Sequence, residues 1–297
     1  MVGSSVKIRW VASVELSVAH AAFVVATAAR CSDSKTEQLL VPPVTDINNR
    51  LLSASLDIGV FWEQYLMEVL RETDMQQACS IALMWSGCSE MQVETTSKAI
   101  TSRLSDSRLA FLQRFPKLAE QLQLRAGPLR DRWETFGPGL LGQVGGKIWG
   151  EPPNDWWPPT IDALMVQPMR GGDGGYDAER HRLWMEAVLT DVDSDVPEVL
   201  RMAWLITRIA IEEYIRQKSS DQSLATPWSL VSIPLVLAAG AELELIRSDP
   251  LPIRRAMELW QIGDDATAKT LSSWWEEFEQ TSTPLPAALK VLKQRLD

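Results

Sequence analysis

The sequence predicts a mainly α-helical protein built as helical hairpins or a bundle in two halves, with a minor β component. Three observations carry this. Apolar residues recur at helical spacing through 58–70 and again through 199–215. The first residues instead alternate with period two, as a half-buried strand does. Between the halves, residues 127–176 concentrate eleven of the 16 glycines, seven of the 17 prolines and four of the 13 tryptophans. Such a composition argues against regular helix there. The layout expected is therefore a strand plus helical half over 1–126, a Gly/Pro/Trp-rich connecting stretch over 127–176 and a helical half over 177–297, as separate domains or as one.

Charge and cysteine usage narrow the function. With 39 acidic against 29 basic residues the net charge is -10, which opposes a phosphate backbone and argues against nucleic-acid binding. Cys31, Cys79 and Cys88 form no metal or redox spacing, and an odd count suits no disulfide framework. Reduced thiols in a cytoplasmic protein are the reading that follows. Only His20 and His181 are available for histidine chemistry, and neither a metal site nor a cofactor motif emerges.

Taken in order, Val6, Ile8, Trp10, Ala12, Val14, Leu16 and Val18 alternate with mostly polar residues, which predicts a strand. Lys7 and Arg9 before apolar residues, with Ala26-Thr27-Ala28 beyond, imitate a secretion signal, but Glu15 and His20 interrupt its apolar core. Residues 19–30 suit strand or helix. Pro42-Pro43 breaks the pattern; helical stripes follow at Ile58–Leu70, at Met75–Ala82 up to Gly87, and over about 91–104 and 107–125 around a break at Pro116. Past the central stretch, Ile161–Gln167 reads as a short strand and Pro168–Gly175 as a glycine-rich loop. A helix carrying Leu183, Trp184, Ala187 and Val188 is expected from Asp177. The next helix, Val199–Ile215, is signed by Asp195 at its N-cap, Pro197 and Glu198. Trp228–Ala241 is apolar all round but short of the roughly 20 residues a membrane span needs, so it reads as a buried helix around Pro234. Helices over about 252–261, 266–279 and 285–296 finish the chain.

Several motifs fail on their own grammar. Gly137-Pro138-Gly139-Leu140-Leu141-Gly142 satisfies G-x-G-x-x-G, yet no strand precedes it. Gly146-Lys147 lacks the first glycine and the hydroxyl of a phosphate loop. Asp191, Asp193, Asp195 and Glu198 begin like a calcium loop, but Val196 and Met202 occupy the positions needing glycine and glutamate. No nucleophile elbow exists, so catalytic residues are unknown.

What survives is a candidate ligand site. Arg170, Gly171, Gly172, Asp173, Gly174 and Gly175, with His181 just beyond, follow a strand and precede the expected helix, an order that places backbone amides at a ligand. This loop either simply turns the chain or forms a weak anion site. Trp156-Trp157, framed by Pro152-Pro153 and Pro158-Pro159, lies on no apolar stripe and reads as an inter-lobe plug or a recognition surface. Two functions stay open: a helical interaction or scaffold protein with a protein partner, or a protein or enzyme binding a small, anionic molecule through 168–181 beside Trp156-Trp157.

Gly137-Pro138-Gly139-Leu140-Leu141, the strand and glycine loop at 164–175, Met185–Leu189 and Val196–Leu200 together resemble uncharacterised bacterial proteins of the planctomycete type, over roughly residues 133–208. That group carries no assigned activity, so the resemblance implies no catalytic residue.

Overall fold

The chain, in a computed structural model that describes residues 6–218, 222–281 and 283–296, enters through strand β1 (Lys7–Ala12), whose side chains alternate between exposed and half-buried. The alternation of apolar residues runs on to Val18, but the strand stops. Helix α1 (Val14–Ala26) begins at once, with Ser13 Oγ accepting from the Leu16 amide at 3.4 Å. Leu16 to Ala22 are buried without a gap. A helix buried all round has no polar face, so period two past Ser13 was not a strand signal but the absence of a helical one. The same helix resolves the open stretch through residue 26.

The chain divides into two compact units. One comprises Trp10–Ala126 and Leu164–Gly172; the other comprises residues up to Arg9, Gly127–Ala163 and residues from Asp173 on. In the first, α1 packs against α2 (Ser34–Ser53), α3 (Ile58–Leu70) and α5 (Glu90–Arg114), with α4 (Met75–Trp85) against α3 and α5. Pro42 and Pro43 do not end α2: they ride its outer side while Leu40, Val44, Ile47 and Leu51 bury the inner one. Trp62 on α3 is fully buried and donates from Nε1 to Asn48 Oδ1 on α2 at 2.8 Å. Helix α5 runs unbroken where two segments were expected; the break falls at Pro116, before α6 (Leu118–Arg125).

In the second unit the expected connecting stretch is largely a helix. α7 spans Gly127–Trp149, with Pro128 in its first turn and Pro138 inside it. Five interior glycines and one proline cost about 8 kcal/mol of helix propensity. Burial of Leu129, Trp133, Leu140, Leu141, Val144 and Ile148 offsets that with about 9–18 kcal/mol, so tertiary packing wins. The glycines serve the packing. A Cβ at Gly137 would sit 2.5 Å from the Trp133 indole, and one at Gly145 would meet Pro152 at 3.3 Å.

α7 packs with α8 (Glu198–Lys218) and α9 (Ala225–Glu242); α9, buried on nearly every side, also takes α10 (Ile253–Trp260), α11 (Asp265–Glu279) and α12 (Leu285–Leu296). Among the described residues no helix is long and apolar enough to cross a membrane.

The expected helix from Asp177 is instead a hairpin. β3 (Gly174–Asp177) pairs antiparallel with β4 (Arg182–Glu186), Gly175 facing Trp184 and Asp177 facing Arg182. Gly174 and Gly175 are therefore strand positions rather than loop ones. A Cβ on Gly175 would lie 2.6 Å from Trp184 Nε1, and one on Gly174 would lie 2.8 Å from the Trp184 carbonyl, so the bare backbone makes room for the cross-strand tryptophan. With β2 (Thr160–Val166) the sheet order is β1-β2-β4-β3.

Candidate functional site

A cavity of about 490 Å³ opens in the second unit, within the usual size range for small-molecule sites. One wall is α8, which presents Ala210, Glu213, Tyr214 and Gln217, the i, i+3, i+4, i+7 positions of a single helix face. The end of α7 supplies Trp149, and residues 153–159 supply the opposite wall. That segment is stiffened by three prolines, Pro153, Pro158 and Pro159, each fixing φ. A turn closes it where the Trp156 amide donates to the Pro153 carbonyl at 3.0 Å. The tip of the β3–β4 hairpin adds His181.

The wall is aromatic. Trp149 and Tyr214 have ring centroids 5.1 Å apart, Trp149 and Trp156 5.3 Å, and Trp156 and Tyr214 5.8 Å, all inclined by 62–75°. Trp228 on α9 backs Tyr214 at 5.9 Å and Trp157 packs on Trp156 at 5.8 Å. Among the described residues, the buried Nε1 atoms of Trp149 and Trp156 meet no acceptor. What these two rings offer the cavity is consequently carbon surface, not N–H.

Two polar clusters border it. His181 Nε2 lies 2.9 Å from Glu213 Oε1, and its carbonyl accepts from the Asp162 amide at 3.0 Å. His181 sits at φ 51°, in the left-handed region, as the last residue of the hairpin loop, a conformation that costs a non-glycine residue about 1–2 kcal/mol. One residue earlier on α8, Glu212 turns away: Tyr176 donates to it, and Arg208 donates to the Tyr176 oxygen from Nη2 at 2.7 Å and from Nε at 3.0 Å. Burial pushes the Tyr176 hydroxyl well above its ordinary range, against the pull of the Arg208 cation, so it stays a donor. The adjacent carboxylates Glu212 and Glu213 therefore serve separate networks rather than acting as a pair.

Of the residues singled out by sequence, Trp156, Trp157 and His181 line this cavity. Both tryptophans are buried. Arg170, Gly171, Gly172, Asp173, Gly174 and Gly175 do not line it. Gly171 and Gly172 turn the chain at φ 82° and 113°, the Asp173 carbonyl accepts from the Glu186 amide, and Gly174 and Gly175 lie in β3. The anion reading also loses the helix it expected from Asp177, because that segment pairs as β3 and β4. Sequence reading missed Trp149, Glu213 and Tyr214.

The acidic turn before α8 is fastened by arginines. Asp191 pairs with Arg132, Asp193 with Arg255 Nε at 2.7 Å, and Glu198 Oε2 with Arg201 Nε at 3.0 Å. The α8 amide of Glu198 donates to Asp191 Oδ1 at 3.0 Å, so Asp191 rather than Asp195 answers it. Glu198 is 5% exposed and Arg201 2%. Burial pushes the Glu198 carboxyl up; Arg201 pulls it down, while Asp191 and Glu186 add to the rise. A carboxyl raised in the folded state contributes stability that is fully present below its unfolded value, about 4.3, and is lost as pH rises through the folded value. Glu198→Gln is expected to flatten the melting temperature above that point. Asp193 behaves oppositely: burial acts to raise it, but the Arg255 hydrogen bond and backbone amides hold it below the ordinary value. Its contribution is lost as pH falls through that depressed value. A thermal-melt series across pH on wild type and variant checks this; parallel profiles would show that Glu198 does not titrate differently on folding.

Among the described residues no group of three or more His, Cys, Asp or Glu is placed to hold a metal ion. Cys79 and Cys88 are buried and Cys31 is half-buried, none of them in a disulfide; burial pushes the Cys79 thiol up to about 12, which keeps it protonated and unreactive. Comparison with protein-family models, curated proteins and solved structures returns no match.

Proposed function

We propose that this protein binds a small organic molecule in the cavity between α8 and residues 149–159. The observation that supports this reading is the cavity itself: about 490 Å³, with an aromatic wall stiffened by prolines and polar groups gathered at its border. No catalytic role is assigned, because no group there pairs a nucleophile with a base. A cytoplasmic setting is supported by three cysteines that form no disulfide.

Trp149 on the cavity wall makes intrinsic fluorescence the direct test. Indole- or benzyl-sized ligands are expected to change the emission and to raise the melting temperature. At a ligand concentration tenfold above Kd the stabilisation is about 1.4 kcal/mol, or roughly 3–6 °C. A screen of such ligands at millimolar concentration that moves neither signal would end the proposal.

A second reading, protein interaction, is supported by the first unit. Trp85 at the end of α4 is 68% exposed, and Met91 at the start of α5 is 93% exposed. Large apolar side chains facing solvent across one turn favour a contact surface. Self-association is the version measured first: sedimentation should show mass rising with concentration in wild type and not in Trp85→Ser, with the melting temperature unchanged. A wild type that stays monomeric at every concentration removes it.

A further inference from the structure

The charge around the cavity selects among small molecules. Its lining carries two carboxylates, Glu213 and Asp155, and one ionisable nitrogen, on His181; among the described residues no lysine or arginine lines it. An anion would enter against that balance. The rings of Trp149, Trp156 and Tyr214 are mutually inclined, and the indole N–H edges of the two tryptophans are buried. Ring faces carry negative potential, and a cation resting against several of them is stabilised without a hydrogen bond.

Glu213 completes the arrangement. It directly precedes Tyr214 on α8, so the carboxylate and the ring reach the cavity from consecutive positions. Oε1 is engaged, by His181 at 2.9 Å and more distantly by Arg216 at 3.9 Å. Oε2 has no hydrogen-bond partner among the described residues. The imidazole holds the carboxylate in place through one oxygen and leaves the other to a ligand. His181 is itself fixed by the Asp162 amide and by its left-handed backbone.

Taking the cavity as a ligand site, we infer that it receives a small organic ammonium ion, whose apolar part rests on Tyr214 and the tryptophan rings and whose charge is answered by Glu213. Ring faces of this kind favour a cation over a neutral molecule of the same shape by a few-fold, and the Glu213 carboxylate brings the preference to about tenfold or more.

Three probes of one skeleton test this at neutral pH: benzylamine, benzyl alcohol and benzoate, titrated against tryptophan fluorescence and calorimetry. In the wild type benzylamine should bind about tenfold or more tighter than benzyl alcohol, with benzoate weakest. Glu213→Gln should reduce benzylamine's advantage over the alcohol to the few-fold that the ring faces alone supply and leave the alcohol unchanged, with an unaltered melting curve as the control for folding. Asp155→Asn, at an exposed position beside the buried Trp156, should lower benzylamine affinity by a smaller factor, and gives a second reading if Glu213→Gln fails to fold. Equal binding of amine and alcohol in wild type overturns the ammonium assignment and leaves the small-molecule reading standing. Tighter binding of benzoate overturns it too. Failure of all three at millimolar concentration removes both.

Discussion

Arg201→Leu is expected to destabilise the protein by about 3–5 kcal/mol at neutral pH, because it leaves Glu198 buried without its partner. The chain of cause is short. Both side chains are almost fully buried, Arg201 Nε lies 3.0 Å from Glu198 Oε2, and Arg201 Nη2 donates to the Leu259 carbonyl on α10 at 3.2 Å. The arginine thus neutralises a carboxylate at the start of α8 and ties α8 to α10. Its loss should lower the melting temperature by roughly 6–20 °C at about 2–4 °C per kcal/mol. Leucine replaces most of the buried stem, so the deficit is electrostatic rather than volumetric.

The double variant Glu198→Leu/Arg201→Leu separates those causes. Replacing both members of a buried ion pair by apolar groups is often neutral or stabilising. The double variant should therefore recover most of the loss, short by about 1 kcal/mol for the unanswered Leu259 carbonyl. The single variant should also recover in part as pH falls, because burial has already pushed the Glu198 carboxyl up and losing Arg201 removes what pulled it down, so the stranded carboxyl takes a proton. If single and double variants melt together at every pH, packing around residue 201 and not charge is the cause.

Where the sequence carried one consistent helical period, structure followed it. The stripe Phe61, Trp62, Tyr65, Leu66 is α3, and the expected helices at 266–279 and 285–296 are α11 and α12 within a residue. α7 shows why other segments were not legible. Its stripe of Leu129, Trp133, Leu140, Leu141, Val144 and Ile148 is plain in hindsight, but glycine content is a local cost, and the burial that offsets it comes from partners far along the chain. The hairpin failed for a related reason. Leu183 and Trp184 suit either period, and the deciding contact is Trp184 lying over Gly175. At the site, the Pro-flanked Trp156-Trp157 pair stood out as composition. Tyr214 falls on the apolar stripe of α8, where a side chain reads as core, and only the fold shows it half-buried at a cavity. His181, expected within a helix beginning at Asp177, lies instead at the tip of the β3–β4 hairpin.

Trp156 joins the fold and the cavity, and two substitutions there should give opposite results. The side chain is 5% exposed and packs against Trp149, Trp157 and Tyr214. Trp156→Ala removes that volume beneath a proline-stiffened segment that cannot collapse inward, so the full cost of about 3–5 kcal/mol is expected. The cavity loses its wall as well, and the fluorescence response to ligand should vanish. Trp156→Phe keeps a ring against the same neighbours. It forfeits on the order of 1 kcal/mol of apolar burial, but it also deletes a buried N–H that has no acceptor among the described residues, a group that costs about 1–3 kcal/mol to keep. The two terms oppose, so the melting temperature of Trp156→Phe should stay within a few degrees of wild type and ligand binding should persist. A phenylalanine variant as unstable as the alanine one would mean that the indole N–H is satisfied in solution, and that the rings do not present bare faces to the cavity.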